Sequence, residues 1–451
     1  MEKKSVIILA LFIILGIILN FLPHLDYSYP MHADEWTHMA LAKNLTSSTL
    51  YFEKAPGKDL EIGFHLIIAF LNKIGISYLF IFRFFPVLMT ILISLSVFLW
   101  VREISNEKAA LFSVLFIALL NSNATLLGMV YFVPLSFGLL FIPFGLYLLE
   151  TKSKWFFLLF TALLYIHPPS ALAFLLLISI TILYKRERVI QNFLLIAFGG
   201  ALALPLYLDI FLKKGAETAK MLAYNTDYKT VFIPEYLGWI IFILAMAGIV
   251  FAIIRKKYLL LLYIIPLVAL MLFYTISGID IFVYYWRILM YFFIICSAFF
   301  GFACQEIMDF ANQLDKKKWV YIITILLLAF ILIPAVLHKI EANNKLYKII
   351  DDKDYETFSW IKENTNPDAI AVLEPFKGYA FTPIAERRLY TKIVPGKSLF
   401  YEARNEEVNV FLNESCKNLS FLEINNISLI YGNCSNEKLQ EVYPDVFVFG
   451  D

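Results

Sequence analysis

The run Ser5-Val-Ile-Ile-Leu-Ala-Leu-Phe-Ile-Ile-Leu-Gly-Ile-Ile-Leu-Asn-Phe-Leu22 decides the class of fold. A helix of about 20 apolar residues crosses a bilayer, and no charge interrupts this run. It follows Met-Glu-Lys-Lys and has no small-residue cleavage site, so we interpret it as a retained anchor rather than a signal peptide. Similar runs recur along the chain. The sequence therefore predicts an α-helical multi-pass membrane protein.

Composition supports this class of fold. The chain has 451 residues, of which 60% are hydrophobic and 17% are charged, whereas a soluble domain carries about 25% charged residues. A net charge of only +1 gives no reason to expect a nucleic-acid partner. About eleven spans are predicted, at residues 5–22, 78–100, 108–121, 126–149, 155–166, 169–184, 191–212, 233–254, 258–277, 284–306 and 319–338.

Basic residues fall on alternate connectors between these spans. Their clusters are Lys3/Lys4, Arg102/Lys108, Lys152/Lys154, Lys185/Arg186/Arg188, Arg255/Lys256/Lys257 and Lys316/Lys317/Lys318. Because positive charge marks the cytoplasmic side, this face and the N-terminus are predicted to be cytoplasmic. An odd number of spans then puts the C-terminal end outside. We therefore expect a multi-pass protein of the cell membrane with an extracytoplasmic C-terminal domain.

Two domains are expected. Residues 1–340 would form the transmembrane domain, with residues 23–77 as its first outer loop, and residues 341–451 a small soluble α/β domain. The outer loop contains two segments, 33–45 and 62–74, that have helical patterns but do not cross the membrane. The second domain is predicted to have a helix over 354–364 and strands over 369–373, 427–431 and 446–449.

Cysteines and sequons add little to the prediction of function. Cys416 and Cys434 lie in the C-terminal domain, where either a disulfide or two free thiols fit. Cys296 and Cys304 fall in an apolar run and are expected to be packing residues. Asn-X-Ser/Thr triplets on the predicted outer side begin at Asn44, Asn123, Asn413, Asn418, Asn426 and Asn433.

The stretch Met31-His-Ala-Asp-Glu-Trp-Thr-His38, just after the first span, carries the main catalytic candidates, Asp34 and Glu35. One carboxylate can act as a general base. Neighbours on a helix point about 100° apart, so both cannot face one atom, whereas Asp34 and His38 share a face. Alternatively, Asp34 is only the N-cap of the loop helix. The acidic and His-rich context favours catalysis.

Other candidates lie on the same predicted outer face. Arg287 follows Tyr284-Tyr285-Trp286, where its guanidinium can bind a lipid phosphate or only extend to the membrane surface. The same two interpretations apply to Arg83, and Tyr285 completes the phosphate-binding candidates. The substrate-binding candidates are His32, His38, Glu61, His65 and His167. Their spacing matches no metal motif, so no metal ligand is predicted, although a divalent metal is conceivable.

Taken in order, these features resemble the GT-C superfamily of membrane glycosyltransferases. The resemblance rests on the acidic pair after the first span, the two loop helices, the late span that begins Tyr284-Tyr-Trp-Arg-Ile-Leu-Met-Tyr291, and the outer segment Phe358-Ser-Trp-Ile-Lys-Glu-Asn-Thr-Asn-Pro-Asp-Ala369. Ile166-His-Pro-Pro-Ser-Ala171 is similar to outer turns of archaeal members. The resemblance covers essentially the whole chain.

The resemblance implies a sugar donor linked to a polyprenyl phosphate or diphosphate and an inverting displacement. Asp34, or else Glu35, would take the proton of the acceptor hydroxyl, and Arg287 would hold the charge of the leaving phosphate. The acceptor would be a glycan, a lipid or a protein. The oligosaccharyltransferase branch uses a metal and a Trp-Trp-Asp motif, and this chain has no such motif.

Two other classes of function stay open. A transporter or flippase of lipid-linked sugars would more often have repeated halves and polar residues at the membrane midplane, and here the charges gather at one surface. An oligosaccharide ligase or a membrane scaffold is the third class. The membrane itself and its lipids are partners in every case.

Overall fold

The structure is a computed structural model that describes residues 2–46, 58–123, 126–220, 223–225, 233–281, 283–313, 317–344, 346, 348–391 and 399–449. It forms two compact units. The helical unit comprises Met1–Ser28 and Arg83–Leu346, and the mixed unit comprises Tyr29–Phe82 and Tyr347–Asp451. The first outer loop, which the sequence analysis assigned to the first domain, therefore packs mainly with C-terminal residues.

The secondary structure is mostly helical. Its α-helices are α1 (Lys3–Phe21), α2 (Ala33–Thr46), α3 (Ile62–Lys73), α4 (Tyr78–Ile104), α5 (Glu107–Leu119), α6 (Pro134–Glu150), α7 (Phe156–Ile166), α8 (Pro168–Lys185), α9 (Val189–Lys220), α10 (Ile233–Leu237), α11 (Trp239–Ile254), α12 (Tyr258–Ser277), α13 (Tyr285–Gln313), α14 (Lys317–Asn343), α15 (Asp352–Asn364), α16 (Gly378–Ala385), α17 (Leu399–Asn413) and α18 (Leu419–Ile424). Its strands are β1 (Ala223–Asn225), β2 (Ile279–Ile281), β3 (Ile370–Leu373), β4 (Arg388–Leu389), β5 (Leu429–Tyr431), β6 (Gln440–Tyr443) and β7 (Val446–Val448).

Each predicted span corresponds to a helix, namely α1, α4 to α9 and α11 to α14. By length and composition, seven helices of the described chain can cross a membrane. They are Lys3–His24, Tyr78–Ile104, Pro168–Lys185, Val189–Leu208, Tyr258–Ser277, Tyr285–Gln313 and Thr324–Asn343. The remaining four predicted spans are shorter helices. The chain is thus a helical membrane protein, and the figure of about eleven spans stays a prediction.

Helix α13 is the centre of the helical unit, since its most apolar stretch is wholly buried. Small residues let its neighbours approach closely, as is usual between membrane helices. A Cβ atom on Gly248 of α11 would lie 1.9 Å from the backbone oxygen of Phe299, and one on Gly301 would lie 2.2 Å from that of Ala109 in α5. Glycine is therefore required at both contacts.

The mixed unit contains a five-stranded sheet in the order β4-β3-β5-β7-β6. Strand β3 is parallel to β4 and β5, whereas β7 is antiparallel to β5 and β6. The core under the sheet is apolar and includes Val372, Phe411 and Ile430. A disulfide joins Cys416 to Cys434 within this core, so the disulfide alternative is confirmed. The predicted α/β character of the C-terminal residues is also confirmed.

Candidate active site

The acidic pair begins α2, and the two carboxylates have different surroundings. His32 is the residue before the helix, and its carbonyl accepts hydrogen bonds from the backbone nitrogens of Glu35 and Trp36. The Glu35 carboxylate turns back and accepts from the backbone nitrogens of Met31 (2.9 Å) and His32 (3.2 Å). Glu35 has no accessible surface. It therefore caps the helix, because it binds donors that the helix itself leaves unpaired.

Asp34 lies in the first turn of α2, and its side chain keeps 24% of its surface accessible. Its backbone nitrogen donates to Nδ1 of His32 at 3.0 Å, so Nδ1 is the acceptor of this bond. Since the helix begins at Ala33, the interpretation of Asp34 as the N-cap is wrong. Of the two carboxylates, Asp34 is the one that solvent or a substrate can contact.

Behind the acidic pair, three of the predicted substrate-binding residues form one buried network. Nδ1 of His38 lies 3.0 Å from Nε2 of His65, and Nε2 of His38 lies 3.9 Å from the Glu61 carboxylate. All three residues are buried. The network joins α2 to the start of α3 and supports the helix that carries Asp34.

The other end of α2 is fixed by Lys43. Its ammonium donates to the carbonyl of Pro383 at 2.7 Å and to the Glu386 carboxylate at 3.2 Å, while Lys362 donates to the same carboxylate at 2.7 Å. Burial alone would raise the pKa of Glu386, but the two ammonium groups outweigh burial and lower it. For Lys43 burial dominates over Glu386, and the pKa falls. Glu386 thus forms a partly buried ion pair with Lys43 and a second ion pair with Lys362.

In the helical unit, Arg287 lies in the first turn of α13. Its guanidinium is over the ring of Tyr284, 5.2 Å from the ring centroid. No hydrogen bond or ion pair of this guanidinium is found within the described ranges. Tyr285, predicted to bind phosphate, is buried and stacks on Tyr274. The aromatic neighbour of Arg287 is therefore Tyr284, which the sequence analysis did not select.

The start of α13 is held by Asp280, another residue that the sequence analysis missed. Its buried carboxylate accepts from the backbone nitrogen of Tyr285 at 2.6 Å. An Asp before an aromatic-rich span, five residues before the helix, is the signal that could have found it. This bond fixes the helix end from which Arg287 projects.

The side chain of Arg83 binds the backbone carbonyl of His24. The Arg83 guanidinium donates twice to the carbonyl of His24, at 2.8 and 3.2 Å, and once to the Ser28 hydroxyl at 3.0 Å. It therefore completes the hydrogen bonding at the end of α1, where chain carbonyls lack helical partners. Three of its five donors are occupied in this way, which favours the structural interpretation of Arg83 over phosphate binding.

His167 begins a short relay of buried hydroxyls. Its Nδ1 lies 2.5 Å from Oγ of Ser170, which lies 2.6 Å from the hydroxyl of Tyr291. Gly138 makes room for this relay, because a Cβ there would lie 1.9 Å from Oγ of Ser170. Tyr291 is one helical turn after Arg287 on α13, so the relay is fixed to the same helix as the proposed phosphate ligand.

A second polar cluster, also missed from the sequence, lies inside the helical unit. The buried ammonium of Lys339 donates to Oδ1 of Asn20 (2.8 Å) and to the carbonyls of Ala118 (3.1 Å) and Leu120 (2.5 Å). It thus joins the ends of α14, α1 and α5. Within the part of the chain that the structure describes, no group of three or more His, Cys, Asp or Glu residues has a geometry that could hold a metal ion.

Comparisons with known proteins agree with this architecture. A scan against protein-family models finds no match, and a search of curated proteins finds none. Among solved structures, the chain is similar to an Archaeoglobus fulgidus oligosaccharyltransferase tethered to an acceptor peptide with an NVT sequon. The TM-score is 0.64 at 12% identity, and the match covers 95% of this chain and 69% of that chain. It is also similar to the archaeal oligosaccharyltransferase AglB from Archaeoglobus fulgidus with an inhibitory peptide and a dolichol-phosphate: TM-score 0.56, 13% identity, 95% and 69% coverage. The Archaeoglobus enzyme with zinc and sulfate gives a TM-score of 0.60 at 13% identity, with 94% and 67% coverage. At these identities the likeness concerns the fold alone, which this chain shares with the archaeal oligosaccharyltransferases.

Proposed function

We propose that this protein is a membrane glycosyltransferase that moves a sugar from a polyprenyl-phosphate-linked donor to an acceptor on the outer face of the membrane. The observation that carries the proposal is the difference between the two acidic neighbours. Glu35 is buried and caps α2, whereas Asp34 is accessible at the same helix end. The chain therefore presents one usable carboxylate at the position where a GT-C enzyme needs a base.

In this proposal Asp34 removes the proton of the acceptor hydroxyl as that oxygen attacks the anomeric carbon. The bond from that carbon to the phosphate oxygen breaks with inversion, and the phosphate leaves as a stable anion without an acid. The positive end of the α2 dipole favours a negative charge at the position of Asp34. His32, bonded to the backbone of Asp34, fixes the first turn.

Arg287 has the second role, as ligand of the donor phosphate. Its guanidinium offers a planar fork of donors, and within the described ranges these donors have no other acceptor. Stacking over Tyr284 limits the positions of the side chain. Arg83 is a weaker candidate for this role because its donors bind the end of α1.

The similar solved structures provide a second acceptor for testing, a peptide. Two of them were solved with acceptor or inhibitory peptides. Transfer of a sugar or oligosaccharide to the side chain of an Asn in a peptide is thus the second candidate function. The chain lacks Trp-Trp-Asp, so we rank transfer to a hydroxyl first.

The decisive experiment measures release of polyprenyl phosphate by the purified full chain in lipid nanodiscs. The donors are dolichyl-phosphate mannose and dolichyl-phosphate glucose, each supplied with hexose acceptors or with a sequon peptide, with and without added Mg²⁺ or Mn²⁺. Asp34→Asn should lower the rate at least about a hundredfold, while its matched neighbour Glu35→Gln should lower it less than about tenfold. Equal rates for wild type and Asp34→Asn would overturn the assignment of the base.

Arg287 is tested by a separate readout. Arg287→Ala should raise KM for the donor and also lower kcat, because an arginine that binds the donor phosphate acts in both the ground state and the transition state. Asp34→Asn should lower kcat and leave KM nearly unchanged. Donor flipping across a liposome membrane without any hydrolysis or transfer would instead identify a transporter.

A further inference from the structure

The end of the helical unit that carries the connectors α6–α7 and α8–α9 contains a small, open basic cavity. Its charged lining is Lys152, Lys154, Lys185 and Arg188, with one acidic residue, Glu187. Lys152, two residues after the end of α6, and Arg186, directly after the end of α8, have left-handed backbone (φ 59° and 55°). These sharp reversals turn both connectors toward the same space.

The cavity has an excess of positive charge. Lys152 pairs with Glu187 at 2.8 Å, and Lys185 pairs with Glu150 at 2.5 Å. Within the described ranges, Lys154 and Arg188 have no ion pair. The pKa of Glu187 is lowered by the hydrogen bond and charge of Lys152, with Lys185 and Arg188 adding to the effect. The side chains of Lys154 and Arg188 can therefore bind an anion.

Neutral donors stand beside these two cations. Gln191 and Asn192 line the cavity in the first turn of α9, and Ser153 lines it from the opposite connector. Amides and a hydroxyl next to cations match the oxygens of a phosphodiester, which accept several hydrogen bonds as well as charge. Lysines that served only to orient the chain in the membrane would need neither the cavity nor these donors.

Exposed apolar residues lie close to the cavity lining along the chain. Trp155, Leu183, Ile190 and Leu194 are each within two residues of a lining residue and have 66%, 58%, 78% and 65% of their surface accessible. In a membrane protein such residues face lipid, and Trp is typical of the bilayer surface. Cations close in the chain to lipid-facing side chains have the amphipathic pattern of one phospholipid, with its headgroup at the cavity and its chains against these apolar residues.

We propose that this cavity binds the phosphate headgroup of an anionic phospholipid, with Lys154 and Arg188 as its ligands. Basic cavities between membrane helices select anionic lipids in this way. Lys154 and Arg188 supply the charge, and Gln191, Asn192 and Ser153 supply hydrogen bonds. The site requires neither the proposed sugar chemistry nor a particular sidedness.

The test is lipid binding by native mass spectrometry of the detergent-solubilised full chain. Phosphatidylglycerol, phosphatidylcholine and inorganic phosphate are added separately. The expected result is one phosphatidylglycerol bound at least fivefold more tightly than phosphatidylcholine. Lys154→Gln/Arg188→Gln should weaken phosphatidylglycerol binding about ten- to thirtyfold. The matched control Lys4→Gln/Lys256→Gln removes two exposed cations outside the cavity and should leave binding unchanged.

Three outcomes overturn the proposal. The first is equal affinity of wild type for the two phospholipids. The second is an equal loss in the cavity variant and in the control, which would indicate general charge attraction. The third is displacement of phosphatidylglycerol by millimolar inorganic phosphate, which would identify a site for free oxyanions. Glycosyl transfer by Lys154→Gln/Arg188→Gln at the wild-type rate is compatible with the proposal, so the two assignments fail separately.

Discussion

The imidazole of His38 shares a hydrogen bond with that of His65: Nδ1 of the first lies 3.0 Å from Nε2 of the second, and both rings are buried. His65→Leu removes this bond and leaves a buried ring nitrogen of His38 without it, at a cost of about 1–3 kcal/mol. The double variant His38→Leu/His65→Leu should lose less stability than the two single variants lose together, because neither imidazole of the pair remains without the other. Thermal unfolding of the purified chain in detergent measures all three. Additive losses would show that the two rings do not interact.

Asp354 gives a prediction for acid stability. The buried carboxylate accepts from Lys377 and from Tyr431, each at 2.7 Å. Burial alone would raise its pKa, but these hydrogen bonds outweigh burial and hold the pKa below its ordinary value of 3.8. A depressed pKa contributes stability that is complete above the unfolded value and is lost as the pH falls through the folded value.

Asp354→Asn should therefore lower the free energy of unfolding by about 1.5–3 kcal/mol at pH 7. It should also flatten the loss of stability below pH 4, since the titrating group is gone. Melting temperatures between pH 7 and pH 2.5 test both effects. The control is Glu363→Gln, whose carboxylate is exposed near the end of the same helix. A wild-type acid slope in Asp354→Asn would contradict the assignment.

The disulfide Cys416–Cys434 should stabilise the mixed unit. It closes a loop with a sequence separation of 18 residues, for which chain entropy gives about 3 kcal/mol. Cys416→Ser/Cys434→Ser should lower the melting temperature, and dithiothreitol should lower that of wild type to the same value. A further effect of dithiothreitol on the double variant would show that another thiol is responsible.

Lys339 should be essential for the assembly of the helical unit. Lys339→Met keeps most of the volume but leaves the carbonyls of Ala118 and Leu120 and the amide oxygen of Asn20 without this donor. Each buried acceptor that loses its donor costs about 1–3 kcal/mol of stability. We expect a large fall in melting temperature and a low yield of monodisperse protein. Lys348→Met, an exposed lysine outside the helix, is the matched control, and equal stability of the two variants would contradict the prediction.

Much of the fold follows from patterns within short segments. The loop helix was predicted over 33–45 and is Ala33–Thr46, and the strand predicted over 446–449 is Val446–Val448. Periodicity and caps act within one element, so the sequence reports them directly. Strand β6, Gln440–Tyr443, was missed because its exposed residues have no apolar alternation.

The candidate site was predictable in its residues but not in their division of labour. Asp34 and Glu35 were found together, yet only the position of the first helical residue shows which of them caps. A Glu three residues after the residue that precedes a helix is a known capping pattern, and Glu35 fits it once α2 is seen to begin at Ala33. The burial of His38, His65 and Glu61 depends on contacts between segments, which periodicity cannot report.

The mixed unit is built from two segments of the chain, and this has a consequence for how the protein is made. Tyr29–Phe82 leaves the ribosome before Arg83–Leu346, and its partner segment Tyr347–Asp451 follows all of them. At about 5–20 residues per second, the first segment waits on the order of tens of seconds. During this interval Lys43 lacks both Pro383 and Glu386. The helix that carries the carboxylate proposed as the base thus gains these Lys43 contacts only after residues 383–386 have been made, so a chain stopped before them would hold this helix at its N-terminal end alone.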